Sequence, residues 1–302
     1  HPTGYPLFSL CARLIAVLLP WGSPAYKINF ASALFAALAS GSMAWLLYQR
    51  GISAMAALGA ALCFAFSRTF WSQAVIAEVY GLSMFVFLLV FALALNAAEK
   101  RDGRLLLLMA FGLGLGLTAH LNQVLLLPAL VVLFVWRWQV LFAQWQRLAA
   151  AVLCALMGYS LVLYLPLRNG LGPGFHWGDI HNASALWDHV TGALYRTSFF
   201  SYPPEAMLLN GQRWAGQAAA EFAWLLLPLV LWGLWSTWER DRGVLLLAVG
   251  GILVNLIAVL NYHRDPNGIG VFFLVGFTCM GLLLGFGLDA LARRLPFRFS
   301  GG

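Results

Sequence analysis

Apolar residues fall along this chain in long runs separated by short polar connectors. Runs near residues 28–49, 52–70, 74–97, 148–166, 215–238, 243–260 and 269–292 can each cross a bilayer as a helix, which takes about 20 residues. Two shorter runs, 105–119 and 122–136, bring the expected crossings to about nine. The first run, Leu7 to Leu19, is bounded by Pro6 and Pro20 and carries Arg13 in its middle. It is short for a crossing and reads as a helix lying in the interface. The pattern predicts an all-α polytopic membrane protein, a bundle of about nine transmembrane helices plus interfacial helices. We expect one domain over 1–302, an interfacial helix region at 1–27, and an outer loop with an amphipathic helix at 167–214.

Composition excludes the soluble alternative. Hydrophobic residues make up 62% of the 302 and charged residues only 10%, with a mean hydropathy of +0.81. A soluble domain carries about 25% charged residues, so this chain cannot cover itself with a polar surface. The net charge of +7 would point a soluble domain to an anionic partner. In a membrane protein its distribution matters more, and no nucleic-acid partner is expected. Cys11, Cys63, Cys154 and Cys279 lie singly in separate apolar stretches, which reads as small core residues and not as a disulfide framework or zinc site.

The connectors decide the orientation. With residue 1 outside and 7–19 not crossing, the inner connectors hold Arg50, Lys100, Arg101, Arg104, Arg137, Arg147, Arg240, Arg242, Arg293, Arg294 and Arg298. That is 11 of the 18 basic residues, against 5 of the 11 acidic ones. If 7–19 crossed, the basic EKRDGR turn would face out, so the positive-inside rule selects the first topology. Every histidine (His1, His120, His176, His181, His189, His263) then falls on the outer side. So do Glu78, Asp179, Asp188, Glu205, Glu221 and Asp265, together with Arg68, Arg168, Arg196, Arg213 and Arg264. Chemistry is therefore expected at the outer face.

The fourth and fifth runs place part of that chemistry at depth. Residues 105–119 would reach about 22 Å at 1.5 Å per residue, short of a hydrocarbon core of about 30 Å. The turn carrying Thr118, His120, Asn122 and Gln123 is thus expected below the outer surface, facing a cavity. A tilted pair of helices joined by a capped turn is the plainer alternative. The glycines of FGLGLGL follow no strand, so close helix packing through Gly112 and Gly116 is expected in place of phosphate binding. In the outer segment 167–213, Leu186, Val190 and Leu194 recur at helical spacing and predict an amphipathic surface helix. Tyr195, Phe199, Phe200 and Tyr202 follow as an aromatic cluster suited to the headgroup level.

Glu78, inside the third long run near its outer end, is a functional candidate by its position, with a structural pair to Arg68 as the alternative. Arg168 after YLPL, and Arg264–Asp265 in NYHRDPNG, end runs on the outer side. Arginine there can fork onto a phosphate or simply anchor the interface. No two histidines share a close spacing on one helix face, so no metal site is expected, although a divalent metal is not excluded.

HPTGYPLF, NFASALFAAL, SRTFWSQAVIAEVYGL, GLGLGLTAHLN and YLPLR, in that order over nearly the whole chain, resemble the successive motifs of a bacterial multi-pass family related to protein O-mannosyltransferases. HP-GYP and FWSQAVIAEVY are the most specific of them. The resemblance implies a GT-C-like bundle and transfer of a sugar, such as mannose, from a polyprenyl-phosphate donor to a hydroxyl on a protein or glycan acceptor. It implies no cofactor, and places the protein in a bacterial inner membrane with its active face periplasmic or extracellular.

On this reading Glu78 and Tyr80 orient acceptor or sugar hydroxyls, and Arg168 and Arg264 neutralise the donor phosphate. His1, Arg68, His120, Asn122 and Asp265 line the same site. The resemblance departs at one point. Such families carry an acidic motif, resembling Asp-x-Gly-Glu, just before HP-GYP and after a first span. Both would precede His1, so the chain is expected to be a fragment that lacks its catalytic base and is inactive alone. Two other classes stay open: a transporter or lipid flippase, against which stand the absence of an internal repeat and the gathering of charge at one face, and a non-catalytic assembly subunit.

Overall fold

The computed structural model describes residues 4–172, 180–193, 198, 202–262 and 270–295. Helix α1 (Pro6–Leu18) is followed by α2 (Pro24–Gln49), α3 (Ala54–Ala65), α4 (Arg68–Ala74), α5 (Tyr80–Lys100) and α6 (Gly103–Leu117). A 3-10 turn over Leu121–Leu126 leads into α7 (Leu127–Arg137). After it come α8 (Trp145–Tyr159), α9 (Tyr164–Asn169), α10 (Ala183–Val190), α11 (Pro204–Glu221), α12 (Leu227–Arg240), α13 (Arg242–Leu260) and α14 (Leu274–Arg294).

Two helices form the axis of the bundle. α5 and α14 are apolar on every side and bury 78% and 83% of their most hydrophobic stretches. A helix apolar all round can satisfy that surface only inside a bundle or against lipid. The run through α8 and α9 is equally apolar but only 11% buried, so its surface faces outward toward lipid.

Glycine sets the closest crossings. A methyl at Gly114 of α6 would overlap the carbonyl of Ala155 in α8, and one at Gly158 would overlap that of Phe111. The expected packing glycines behave differently. A Cβ at Gly116 would lie 2.9 Å from Val86, whereas one at Gly112 meets Val90 at an ordinary 3.4 Å. The tightest approach is thus at Gly114, between those two. In the same way Gly233 of α12 and Gly287 of α14 each sit under a carbonyl of the other helix, Leu283 and Leu229. Gly287→Ala should force α12 and α14 apart and cost about 1–3 kcal/mol, as overpacking does. A thermal unfolding midpoint in detergent reads this directly, and an unchanged midpoint would mean that the crossing is not tight.

Where the apolar runs are broken, the structure departs from the sequence reading. Among the described residues five helices or helix pairs are long and apolar enough to cross a membrane, or six if α3 and α4, bent by 70° at Phe66–Ser67, count as one span. α6 and the segment 121–137 are shorter apolar helices. The run 215–238 is not one helix: α11 ends at Glu221, Ala223 and Trp224 take left-handed backbone, and α12 restarts with Pro228 in its first turn. Proline is tolerated there but not in a helix interior. The run 74–97 begins its helix only at Tyr80.

A helix, α1, does run between Pro6 and Pro20, and α10 forms within the segment where a surface helix is expected. The side chain of Asn182 caps α10 by accepting from the Ala185 N–H at 2.8 Å. Of the aromatic cluster expected beyond it, Tyr195, Phe199 and Phe200 lie outside the described residues.

The two ends of the bundle separate chemically. At the end assigned inside, Arg50 pairs with Glu99 and Asp241, and Asp289 with Arg240 and Arg293. Arg137, Arg242 and Arg294 lie over the rings of Trp136, Trp238 and Trp232. Such arginine–aromatic pairs are the kind favoured where a helix meets a membrane boundary.

Candidate functional site

The opposite end is built from the sequence motifs themselves. Gly4 and Tyr5 both take left-handed backbone, φ 65° and 38°, and turn the chain into α1, where Pro6 supplies the first helical residue. A left-handed tyrosine needs outside support, because the conformation is costly for a residue with a side chain. That support is His120: the rings of Tyr5 and His120 stack at 5.3 Å with an interplanar angle of 16°. Tyr80 approaches His120 as well, at 5.2 Å and 40°. Leu165 of α9 lies against the same turn, since a Cβ at Gly4 would come 2.8 Å from it.

His120 is buried, and its Nδ1 accepts from the Asn122 N–H at 3.1 Å. A neutral ring in that arrangement carries its proton on Nε2. Gln123 is fully buried and donates to the carbonyl and hydroxyl of Ser83 at 2.8 and 3.2 Å, tying the turn to α5. Among the described residues Asn122 Nδ2 and Gln123 Oε1 have no partner, which is unusual for buried polar atoms. A small pocket of about 20 Å³ opens beside the stack, with Thr118, Tyr159 and His189 among its walls.

Glu78 lies in the non-helical link between α4 and α5. Its backbone is held from α2: Ser32 accepts from the Glu78 N–H at 3.1 Å and donates to the Glu78 carbonyl at 3.0 Å. Three residues on, Gly81 lets α5 approach α2, because a Cβ there would meet the backbone of Ala36 and Ser32 at 2.8 and 2.9 Å. Burial raises the Glu78 carboxyl above its usual range, and the Val79 N–H pulls it partly back.

Arg68 begins α4 in an exposed position, and no ion pair joins it to Glu78, so the structural pair weighed from the sequence does not form. Arg168 is exposed at the end of α9. Tyr80, His120 and Asn122 come together with Tyr5, and Glu78 leads directly into Tyr80. His1, Arg264 and Asp265 lie outside the described residues. Among the described residues no three His, Cys, Asp or Glu side chains are grouped to hold a metal.

Sequence reasoning gave no role to Glu221, the single carboxylate in the run 215–238. It is buried, and both of its oxygens accept from the Thr69 N–H at 2.9 Å, with the Thr69 hydroxyl donating as well. Helix α4 therefore receives its N-terminal cap from α11, while the adjacent Ser67 hydroxyl bonds to nothing among the described residues. Glu221→Ala should cost about 1–3 kcal/mol, the penalty for stranding buried donors. It should also open 66–79 to limited proteolysis ahead of the rest of the chain. Unchanged cleavage would show that Glu221 does not anchor this segment.

The chain is similar to several known proteins. Residues 1–142 match the family model for the protein O-mannosyl-transferase TMEM260 N-terminal domain. The chain is 31% identical over 206 residues to protein O-mannosyl-transferase TMEM260 of Mus musculus, covering 65% of this chain and 29% of that protein. It is 26% identical over 220 residues to the Dictyostelium discoideum protein of the same name, covering 65% and 26%. The chain thus spans less than a third of the length of either relative. Its fold is similar to that of ArnT from Cupriavidus metallidurans, solved bound to undecaprenyl phosphate, with a TM-score of 0.63 at 15% identity over 96% of this chain and 50% of ArnT.

Proposed function

We propose that this chain is an O-mannosyltransferase-like membrane protein of the GT-C type, a reading supported by its similarities, and that its outer end transfers a sugar, such as mannose, from a polyprenyl-phosphate donor to a hydroxyl on a protein or glycan. The anomeric carbon leaves the phosphate oxygen, which keeps the electron pair, and bonds to the acceptor oxygen. The acceptor proton passes to a carboxylate base. Glu78 and Tyr80 orient hydroxyls. His120 and Asn122 line the site, and Arg168 with Arg264 offsets the phosphate charge. Arg68 adds a further cation to the same end. The protein sits in a bacterial inner membrane with this end periplasmic.

The observation that carries the reading is the meeting of Tyr5, Tyr80 and His120, which come from three separate motifs, around one buried ring. The unpartnered amide atoms of Asn122 and Gln123 support it, since a sugar or other polyhydroxyl ligand offers both donors and acceptors. The full-length protein, reconstituted in vesicles with polyprenyl-phosphate mannose and a serine- and threonine-rich peptide, should produce a glycosylated peptide. Movement of the lipid-linked sugar across the bilayer with no transfer to any hydroxyl acceptor would establish the transporter reading instead.

A further inference from the structure

A second charged feature lies apart from the Tyr5–His120–Tyr80 stack. α1 and α2 enclose a groove of about 410 Å³ lined by Phe8, Ser9, Ala12, Arg13, Ala16, Pro24, Lys27 and Ile28. Two of these side chains are cationic and none is acidic. Glu78 is the first acidic residue in the whole sequence, so Arg13 and Lys27 have no carboxylate near them in the chain. Lys27 Nζ donates to the Ala16 carbonyl at 3.2 Å, which bridges the two helices and leaves the ammonium two further donors. No hydrogen bond or ion pair engages the Arg13 guanidinium among the described residues, and the side chain is exposed. The groove also lies at the N-terminal end of the 26-residue α2, where the helix dipole favours an anion.

The surroundings are apolar. Leu14, Leu18, Trp21 and Tyr26 are 59%, 70%, 62% and 50% exposed on the same two helices and the turn between them. Aromatic and leucine side chains exposed on an interfacial helix belong in the headgroup and upper acyl region of a bilayer. A ligand that answers both features is an amphiphile with an anionic head and a hydrocarbon tail.

We propose that the α1–α2 groove binds the phosphate headgroup of a membrane lipid, with Arg13 and Lys27 on the phosphate and the tail lying along the exposed apolar face. The site is independent of the sugar-transfer reading, because none of the residues assigned to that reaction lines it. Its place beside the turn that carries Tyr5 would fasten α1 to the leaflet the candidate site faces.

The test uses the full-length protein in nanodiscs of phosphatidylcholine doped with either phosphatidylglycerol or a polyprenyl phosphate, and native mass spectrometry to count retained lipid. Wild type should retain the anionic lipid over phosphatidylcholine, and Arg13→Gln with Lys27→Gln should lower that preference by roughly thirtyfold, as expected for removing two cations at a membrane surface. The two doping arms show whether a phospholipid or the prenyl lipid is the better occupant. Because Lys27 also bridges the helices, Arg13→Gln alone serves as the second variant. It should weaken retention by itself at an unchanged unfolding midpoint. Equal retention in wild type and Arg13→Gln, or displacement of the lipid by millimolar inorganic phosphate, would overturn the assignment.

Discussion

Glu78→Gln in the full-length protein should lower sugar transfer by about a hundredfold, the scale of a lost hydrogen-bonding carboxylate in acid–base or orienting work. The thermal unfolding midpoint should barely move. The two readouts separate because the fold holds Glu78 by its backbone: the N–H and carbonyl are both bound to Ser32, and neither contact needs the carboxylate. A glutamine of the same shape keeps those contacts and loses only the negative charge. Wild-type turnover in this variant would remove Glu78 from the mechanism, whereas loss of both activity and stability would make it a structural residue.

The pH profile sharpens the same experiment. Burial holds the Glu78 carboxyl above the usual carboxylate range, against a partial pull from the Val79 N–H. If the ionised form orients the hydroxyls, the rate should fall on the acid side with an inflection above that range, and Glu78→Gln should abolish that limb. Stability runs the opposite way. A carboxyl with a raised folded pKa binds more protons in the folded chain than in the unfolded one. Its contribution is therefore complete below the unfolded pKa and is lost as pH rises through the folded value. Activity and stability should thus respond to Glu78 with opposite signs over the same interval.

The sequence revealed most where a single residue type punctuates a run. Pro6 and Pro20 bracket the first helix, and the observed α1 ends within two residues of the second. Among the residues grouped at one end from the sequence, Arg50, Arg240 and Arg293 are found in ion pairs with Glu99, Asp241 and Asp289. What could not be read were breaks that depend on a distant partner. The kink at Phe66–Ser67 sits inside the run 52–70, and its cap comes from Glu221, 152 residues away from Thr69. Composition also cannot give the rotational phase of a helix, so Gly112 and Gly116 were natural packing candidates although Gly114 faces the neighbouring carbonyl. At the site, the polar turn at 118–123 was visible as a short run ending in His120 and Asn122. The stacking of Tyr5 on His120 was not, because a tyrosine between glycine and proline reads first as a turn residue.

Asp289→Ala should be the most destabilising single change in the bundle, by about 3–5 kcal/mol, as for breaking a buried charged network from one side. Asp289 is 1% exposed. One oxygen accepts from Arg240 and Arg293, each at 2.7 Å, and the other from the Ser53 N–H at 2.9 Å. Arg240 reaches on to the Gly51 carbonyl at 3.0 Å. One carboxylate therefore joins α12, α14 and the turn between α2 and α3. Beside it Arg50 joins that turn to α5 and α13 through Glu99 and Asp241. Alanine would strand the Ser53 N–H and leave Arg240, 28% exposed in its side chain, without a counter-charge. Arg293, at 63%, can turn to water, so Arg293→Ala should cost far less, within the 0–1 kcal/mol of an exposed pair. The contrast between the two variants, measured as unfolding midpoints in one detergent, tests whether the network or the mere count of charges holds this end together. Equal effects would mean that Asp289 acts as an ordinary surface acid. A large effect of Asp289→Ala on stability, with little change in transfer rate per folded molecule, would show that the bundle divides its labour between a clamped inner end and a chemically active outer one.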